Sequence, residues 1–349
     1  MSRQRLGIHA ALIGACALTA CSKADSTNSG GHEQKPPAVQ ATGAGPAAQP
    51  ATGDRRIKIA FSAPGADHGW LAAFTRNARE EAKRLGSVEI EVSEGATDAA
   101  SQAAQVDTLI AGKPDVLVIL PYDGAALTPA AQAAMAAGIP VVNIDREFAS
   151  PSAYHTWIGG DNYGIGFSAG NYIAEQLSCK GKVVEIQGLP GISVTELRTK
   201  GFTDAIQRCD GGLEVVARQS ADFLPDKGLQ IMEAILSAQP KIDAVYTHDD
   251  DMAMGVVAAI QNAGRDKEMF VTGAGGSAKA MELIKEGSLY RATFLYSPIM
   301  AASGIRLAHL IATNKGLSEL VEPDVPSRIQ VRAAAVTKEN VDQFMKFGY

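Results

Sequence analysis

From Arg56 onward the sequence alternates between short apolar runs and longer amphipathic stretches. The apolar runs fall at residues 57–63, 88–92, 116–120, 141–144, 156–159, 183–187, 213–217, 244–247, 270–272 and 292–296. Many are apolar without interruption, as strands are when both faces of their sheet are covered. Between them, residues 71–85, 99–111, 164–177, 196–208, 229–238, 252–263 and 278–285 place apolar side chains at helical spacing. This repetition of strand and helix predicts an α/β fold built on doubly wound parallel sheets. One large sheet would hold all the runs, but two sheets of about six strands suit the length better.

The chain is 349 residues long, which leaves room for two ordinary domains. Hydrophobic residues are 46% and charged residues 20%, enough to build a core, so whole-chain disorder, a collagen repeat and a small disulfide scaffold are excluded. The net charge is −6, no run of Lys and Arg stands out, and aromatic residues are only 6%. Neither an electrostatic footprint nor a stacking platform for nucleic acid is present.

The first residues read as an address. Arg3 and Arg5 precede an apolar stretch, Leu6 to Ala20, that is too short to span a bilayer and suits a secretory signal. It ends in Leu18-Thr19-Ala20-Cys21, which resembles the lipobox of bacterial lipoproteins. The resemblance implies a signal at 1–20 and a lipidated Cys21 as mature N-terminus; an ordinary cleaved signal with an incidental Cys is the alternative. Two or more acyl chains on Cys21 would give a stable membrane anchor. Residues 22–54 are mostly Gly, Pro, Ala, Ser, Thr and Gln, with Val39 the only large aliphatic side chain, so they read as a flexible tether.

Export frames the cysteines. With Cys16 in the signal and Cys21 lipidated, Cys179 and Cys209 remain. Each follows an expected helix and precedes an expected strand, which would bring both to one sheet edge. An even pair in an oxidising compartment suggests a disulfide, with two buried thiols as the alternative.

In an open α/β sheet, ligands bind at the carboxyl ends of the strands. The residues found there are His68 and Trp70 after the first run, Asp145-Arg146 after 141–144, a loop leading to Arg198 after 183–187, and His248-Asp249-Asp250-Asp251 after 244–247. Gly273-Ala274-Gly275-Gly276-Ser277 follows 270–272, and Ser297-Pro298 follows 292–296. Acids, two arginines, a histidine and an indole suit a hydroxyl-rich ligand. Carboxylates accept from hydroxyls, guanidinium donates in a planar fork, and an aromatic face covers C–H surface.

The body also carries Gly138-Ile139-Pro140-Val141-Val142-Asn143-Ile144-Asp145-Arg146, then Gly160-Asp161-Asn162 opening a helix that contains Gly170. It carries Glu196-Leu197-Arg198-Thr199-Lys200-Gly201-Phe202 and Asp250-Asp251-Met252-Ala253-Met254-Gly255. With these pieces, the chain from Ile57 to its end resembles the periplasmic sugar-binding proteins of ABC importers, in the ribose/galactose/xylose-type group with the periplasmic binding protein type I fold. The resemblance implies two lobes joined by a three-crossover hinge, with the ligand between them. Lobe one would be residues 56–160 and 297–327, and lobe two 161–296 and 328–349. It implies ligand contacts from His68, Trp70, Asp145, Arg146, Arg198, Phe223, Asp249 and Tyr296. The pattern departs from the family at three positions. Gly275 stands where ribose and galactose binders carry an Asp, His68 replaces a common Asn, and Leu71 replaces a second aromatic. The cleft therefore has one acid fewer and an added imidazole, which leaves room for a sugar acid or a phosphorylated sugar beside neutral sugars and polyols.

Competing motifs are weaker. Gly166-Phe167-Ser168-Ala169-Gly170 matches a nucleophile elbow, but Asp161-Asn162 opens a helix first, so Ser168 would lie within it. Close helix packing through small residues explains it better. The Gly-rich segments at 164–166 and 273–276 lack the context of phosphate loops. The acids at 249–251 read as complements to a helix N-terminus rather than metal ligands. His32 falls in the tether, and His155 and Trp157 read as core or edge packing. The expectation is an exported, monomeric solute-binding lipoprotein with no chemistry, no cofactor and no metal. Its place would be the periplasm or cell surface, and its partner an ABC permease in the inner membrane. A receptor presenting its ligand to a membrane sensor or chemoreceptor is the alternative.

Overall fold

The computed structural model describes residues 55–317 and 321–349. The expected signal, Cys16, Cys21, the tether and His32 lie outside the described residues. The chain begins with β1 (Ile57–Pro64), α1 (Gly69–Leu85), β2 (Val88–Ala96), α2 (Ala99–Ala111), β3 (Val116–Ile119), α3 (Gly124–Ala136), β4 (Val141–Ile144) and β5 (Thr156–Gly160). It continues with α4 (Asn162–Gln176), β6 (Gly181–Gln187), α5 (Ser193–Gln207), β7 (Leu213–Ser220), α6 (Pro225–Ala238), β8 (Ala244–Thr247), α7 (Asp250–Asn262), β9 (Phe270–Gly275), α8 (Ala278–Glu286) and β10 (Tyr290–Leu295). The last part is α9 (Met300–Ala312), β11 (Arg328–Val331), β12 (Ala335–Thr337) and α10 (Val341–Phe344).

The strands form two six-stranded sheets, ordered β11-β5-β4-β3-β1-β2 and β12-β10-β9-β8-β6-β7. Pairing is parallel throughout except between β10 and β12. The central strands β3, β4 and β8 are buried along their whole length. Helices cover both faces, which is why the sequence there shows no alternation. In the first sheet Phe61, Val118 and Ile144 meet Phe74 of α1 and Ile305 of α9, while Leu117 and Ile119 meet Val106 and Leu127 on the other face. In the second, Val184, Ile186, Val245 and Val271 pack on Met252, Val256 and Ile260 of α7. Each such side chain contributes about 1.5–3 kcal/mol by leaving water.

The chain passes between sheets after β5, after β10 and after β11. The last crossing differs from the expected boundary after Ser327. Arg328 to Val331 pair in parallel with Trp157 to Gly160, so this segment belongs to the first lobe. The segment is short and largely exposed, with no apolar pattern to mark it as a strand. Helices α3 and α9 were not marked by the sequence pattern either, since both are rich in Ala and α3 contains Pro129.

Ser168 lies inside α4, and the glycines around it serve helix packing. A Cβ on Gly166 would stand 1.9 Å from the Arg198 carbonyl oxygen, and one on Gly201 would stand 2.1 Å from that of Tyr163. α4 and α5 therefore touch backbone to backbone. At their far ends Cys179 and Cys209 form a disulfide, with Cα atoms 5.2 Å apart. It lies where β6 and β7 start side by side, Gly181 opposite Leu213.

Two outcomes follow for stability. Gly166→Ala should cost about 1–3 kcal/mol or more in urea unfolding, because the clash is with backbone that has little room to move. Closing a loop with a sequence separation of 30 restricts the unfolded chain by about 3–4 kcal/mol. The Cys179→Ser, Cys209→Ser double variant should lose stability on that scale, read by the same titration.

Candidate functional site

The carboxyl ends of the strands in both sheets face a single cavity lined by His68, Trp70, Asp145, Arg146, Val194, Arg198, Phe223, Asp249, Ala274, Gly275 and Tyr296. All eight residues singled out in the sequence are in this lining. His155 and Trp157 are not. His155 reaches Asp324, and Trp157 is buried with its indole N–H donating to the Asp145 carbonyl at 3.1 Å.

Asp145 and Arg146 follow β4 directly. Asp145 has φ +67°, a left-handed conformation that Asp tolerates better than most residues. Its amide donates to the Ile158 carbonyl at 2.9 Å, which ties the turn to β5. Burial raises the Asp145 pKa, against the opposing pull of Arg146, the Tyr296 hydroxyl, Arg198 and His68. The Tyr296 hydroxyl donates to Asp145 Oδ1. Arg146 is 7% exposed and donates from Nη1 to the Tyr122 carbonyl at 2.5 Å. Its buried Nε has no hydrogen-bond partner among the described residues and stands 3.8 Å from Asp145 Oδ2. An unpaired guanidinium N–H is costly to bury, so this donor is poised for an acceptor in the cavity.

Arg198 comes from α5 and is 3% exposed. Its Nε donates to Asn162 Oδ1 at 2.9 Å, its Nη1 to the His248 carbonyl, and its guanidinium carbon stands 4.8 Å from the Tyr296 ring centroid. Beneath it Glu185 is fully buried and accepts from His248 Nε2 at 3.0 Å, Thr199 Oγ1 at 2.8 Å and Arg218 Nε at 2.5 Å. Burial lowers the His248 pKa despite Glu185, with Arg198 and Arg218 adding to the effect. His248 is thus a support for Arg198, through its carbonyl, rather than a ligand group.

The aromatic groups come from α1, from the loop between β7 and α6, and from the residue that follows β10. Trp70 stacks on Phe74 at 5.2 Å and on Tyr296 at 5.6 Å, and its indole N–H donates to the Tyr296 carbonyl at 2.7 Å. Gly160 permits this, since a Cβ there would stand 2.1 Å from the Tyr296 ring. Phe223 has φ +68°, a strained conformation for a bulky residue. It lies over Gly188, where a Cβ would meet the ring at 2.0 Å, and it faces His68 from the other lobe at 6.1 Å.

The acids after β8 divide their work. Asp249 caps α7, accepting from the Met252 amide at 3.0 Å. Burial and the neighbouring Asp251 push its pKa up to about 7, against His68. Asp250 is fully buried and accepts from the amides of Gly276 and Ser277 at 2.7 and 2.8 Å, from Tyr290 Oη at 2.6 Å and from Thr293 Oγ1 at 2.8 Å. It holds the Gly275 loop in place, a role no local pattern announces. A Cβ at Gly275 would stand 2.8 Å from the hydroxyl of Tyr349, so the last residue of the chain occupies the space beside that glycine. Val194 and Ala274 also line the cavity; both are apolar, and nothing in the sequence sets Val194, or Ala274 within its Gly-rich segment, apart from a core residue. Across the cleft, burial depresses the His68 pKa, but Asp67 at 2.5 Å, Asp249 and Asp251 outweigh it and the net shift is upward.

Asp249 binds its proton more tightly folded than unfolded, so folding loses stability as pH rises from about 4, the unfolded Asp value, to about 7. The charged form of His68 stabilises at low pH and its contribution is also lost on the alkaline side. Asp249→Asn keeps the cap and removes the charge. It should raise the melting midpoint at pH 8 by about a few degrees and leave it nearly unchanged at pH 4. A thermal melt at the two pH values checks this.

Residues 59–316 match the family model described as a periplasmic binding protein domain. The ribose import binding protein of Bacillus subtilis is 35% identical over 235 residues, which is 67% of this chain and 75% of that protein. An ABC transporter solute-binding protein from Bacillus halodurans, solved with bound myo-inositol, superposes with TM-score 0.77 at 26% identity, covering 84% of this chain and 99% of the other. The fructose-binding periplasmic domain of a hybrid two-component system superposes with TM-score 0.75 at 30% identity, covering 83% and 94%.

Proposed function

This chain belongs to the periplasmic binding protein domain family, and we propose that it captures a monosaccharide or polyol in the cavity between its two sheets and delivers it to an ABC permease. The family is one of solute-binding proteins rather than enzymes, so the cavity's task is binding and release. The observation that carries the ligand class is the donor and acceptor set of the cavity. Among the described residues Arg146 Nε is a buried donor without a partner, and the carboxylates of Asp145 and Asp249 are buried in the lining of the same cavity. A polyhydroxylated ring satisfies both kinds of group at once, because each hydroxyl donates and accepts. Arg146 and Arg198 donate to ring oxygens, Asp145 and Asp249 accept from hydroxyls, and the rings of Trp70, Phe223 and Tyr296 cover the C–H surface.

Entry needs motion. His68 and Phe223 face each other at 6.1 Å, less than two van der Waals contacts of about 3.5–4.0 Å with a ring between them. The lobes therefore part about the three crossovers to admit the ligand and close again over it, a hinge motion. Lipidation at Cys21 would hold the protein at a membrane, with residues 22–54 as a tether, and it acts there as a monomer on the periplasmic or outer surface. A second reading, a ligand-binding domain that reports to a membrane sensor, is favoured by the likeness to the fructose-binding domain of a two-component system.

Calorimetric titration with pentoses, hexoses, inositols and sugar acids tests the proposal. One class is expected to bind at micromolar Kd, about −8 kcal/mol. Arg198→Ala should weaken it by about 2–5 kcal/mol, since it leaves buried acceptors unpaired. No binding by any member of the panel, or binding unaffected by Arg198→Ala and Asp145→Ala, would contradict it.

A further inference from the structure

Helix α1 begins at the mouth of the cavity, and its own sequence does not cap it. Its N-cap residue, His68, makes no side-chain hydrogen bond to the first turn, and that turn holds no acidic residue. Helices α2, α3, α4, α7 and α8 each have an Asp or Ser at this position that accepts from a first-turn amide. The His68 ring is committed to Asp67 instead.

The acceptor that α1 lacks comes from the other lobe. Asp251, in the first turn of α7, places Oδ2 3.0 Å from the Trp70 amide nitrogen. A Cβ on Gly69 would stand 3.0 Å from Asp251 Oδ1, so the glycine lets the carboxylate settle against the helix end. Asp251 does not line the cavity. Its neighbours cannot replace it, because Asp249 caps α7 and Asp250 is enclosed by the Gly276–Ser277 amides, Tyr290 and Thr293.

We propose that Asp251 is an interlobe latch, a residue that caps α1 only when the lobes are shut and so sets how long the closed state lasts without touching the ligand. The proposal rests on the hinge reading above. A carboxylate at a helix N-terminus gains from the helix dipole and from a charge-assisted hydrogen bond. Opening breaks this contact and returns both the carboxylate and the Trp70 N–H to water. The latch therefore acts on every ligand alike, whereas the cavity residues discriminate between ligands.

The test uses the ligand-free protein, so it stands apart from the identity of any sugar. Spin labels at Asp107 and Glu233, exposed on α2 and α6, report the distance between lobes, and amide exchange by NMR reports the Trp70 N–H. Asp251→Ala should lower the ratio of closed to open molecules by about fivefold, the scale of a helix-capping interaction, and speed Trp70 exchange to a similar degree. Asp251→Asn, which keeps an acceptor without the charge, should fall between and guards against misfolding of the Ala variant. Unchanged distances and unchanged Trp70 exchange in both variants would overturn the latch, as would a wild-type protein with no closed population and no protection at Trp70. Loss of the closed population in a protein that binds no sugar would overturn the sugar reading and leave the latch standing.

Discussion

Three carboxylates lie buried where the strands of two sheets end, and the fold is arranged around what keeps them there. Asp145, Asp249 and Asp250 are each at most 5% exposed. Removing a carboxylate from water is costly unless partners replace the lost hydration. Each is compensated differently. Asp250 receives backbone and hydroxyl donors and no cation, so it becomes a structural clasp for the β9–α8 loop. Asp145 receives Tyr296 and the neighbourhood of two arginines. Asp249 receives one amide and the charge of His68, the least complete compensation of the three, and burial beside Asp251 pushes its pKa up to about 7.

That gradation separates structure from function within one row of acids. A group whose partners are all supplied by the protein holds the fold together. A group left short of partners is ready for something from outside. The same reasoning applies to the guanidinium groups. Arg198 is held by Asn162 and the His248 carbonyl, with Glu185, His248 and Arg218 packed beneath. Arg146 keeps an N–H without an acceptor among the described residues. Rigid supports on one side and unmet hydrogen-bonding capacity on the other are what pre-organised recognition requires.

Much of this was legible in the sequence, because two sheets covered by helices leave a strong signal in apolar runs such as 116–120 and 141–144. The rule that ligands sit at strand carboxyl ends then brings up His68, Trp70, Asp145, Arg146, Arg198 and the acids at 249–251 from local order alone. Phe223, Tyr296 and the choice of Asp249 among its neighbours come from a family resemblance, and the structure brings all eight to one cavity. What escaped has physical reasons. β11 and β12 are short and carry no period that marks a strand. Asp250 and Asp251 look alike in sequence, yet one is enclosed and the other reaches across to α1, a difference made by tertiary contacts alone. Tyr349 is distant in sequence from Gly275 and meets it only because the last segment returns to the second lobe.

The central claim is that the unmet donors and acceptors of this cavity are completed by a polyhydroxylated ligand held between the lobes. A crystal structure of the protein grown with the sugar or polyol that binds in calorimetry tests it most directly. The account predicts the ring between Phe223 and the Trp70–Tyr296 pair, with a ligand oxygen within about 3.2 Å of Arg146 Nε and hydroxyls on Asp145 and Asp249. A ligand bound elsewhere on the molecule, or one in the cavity that leaves Arg146 Nε without an acceptor, would contradict it.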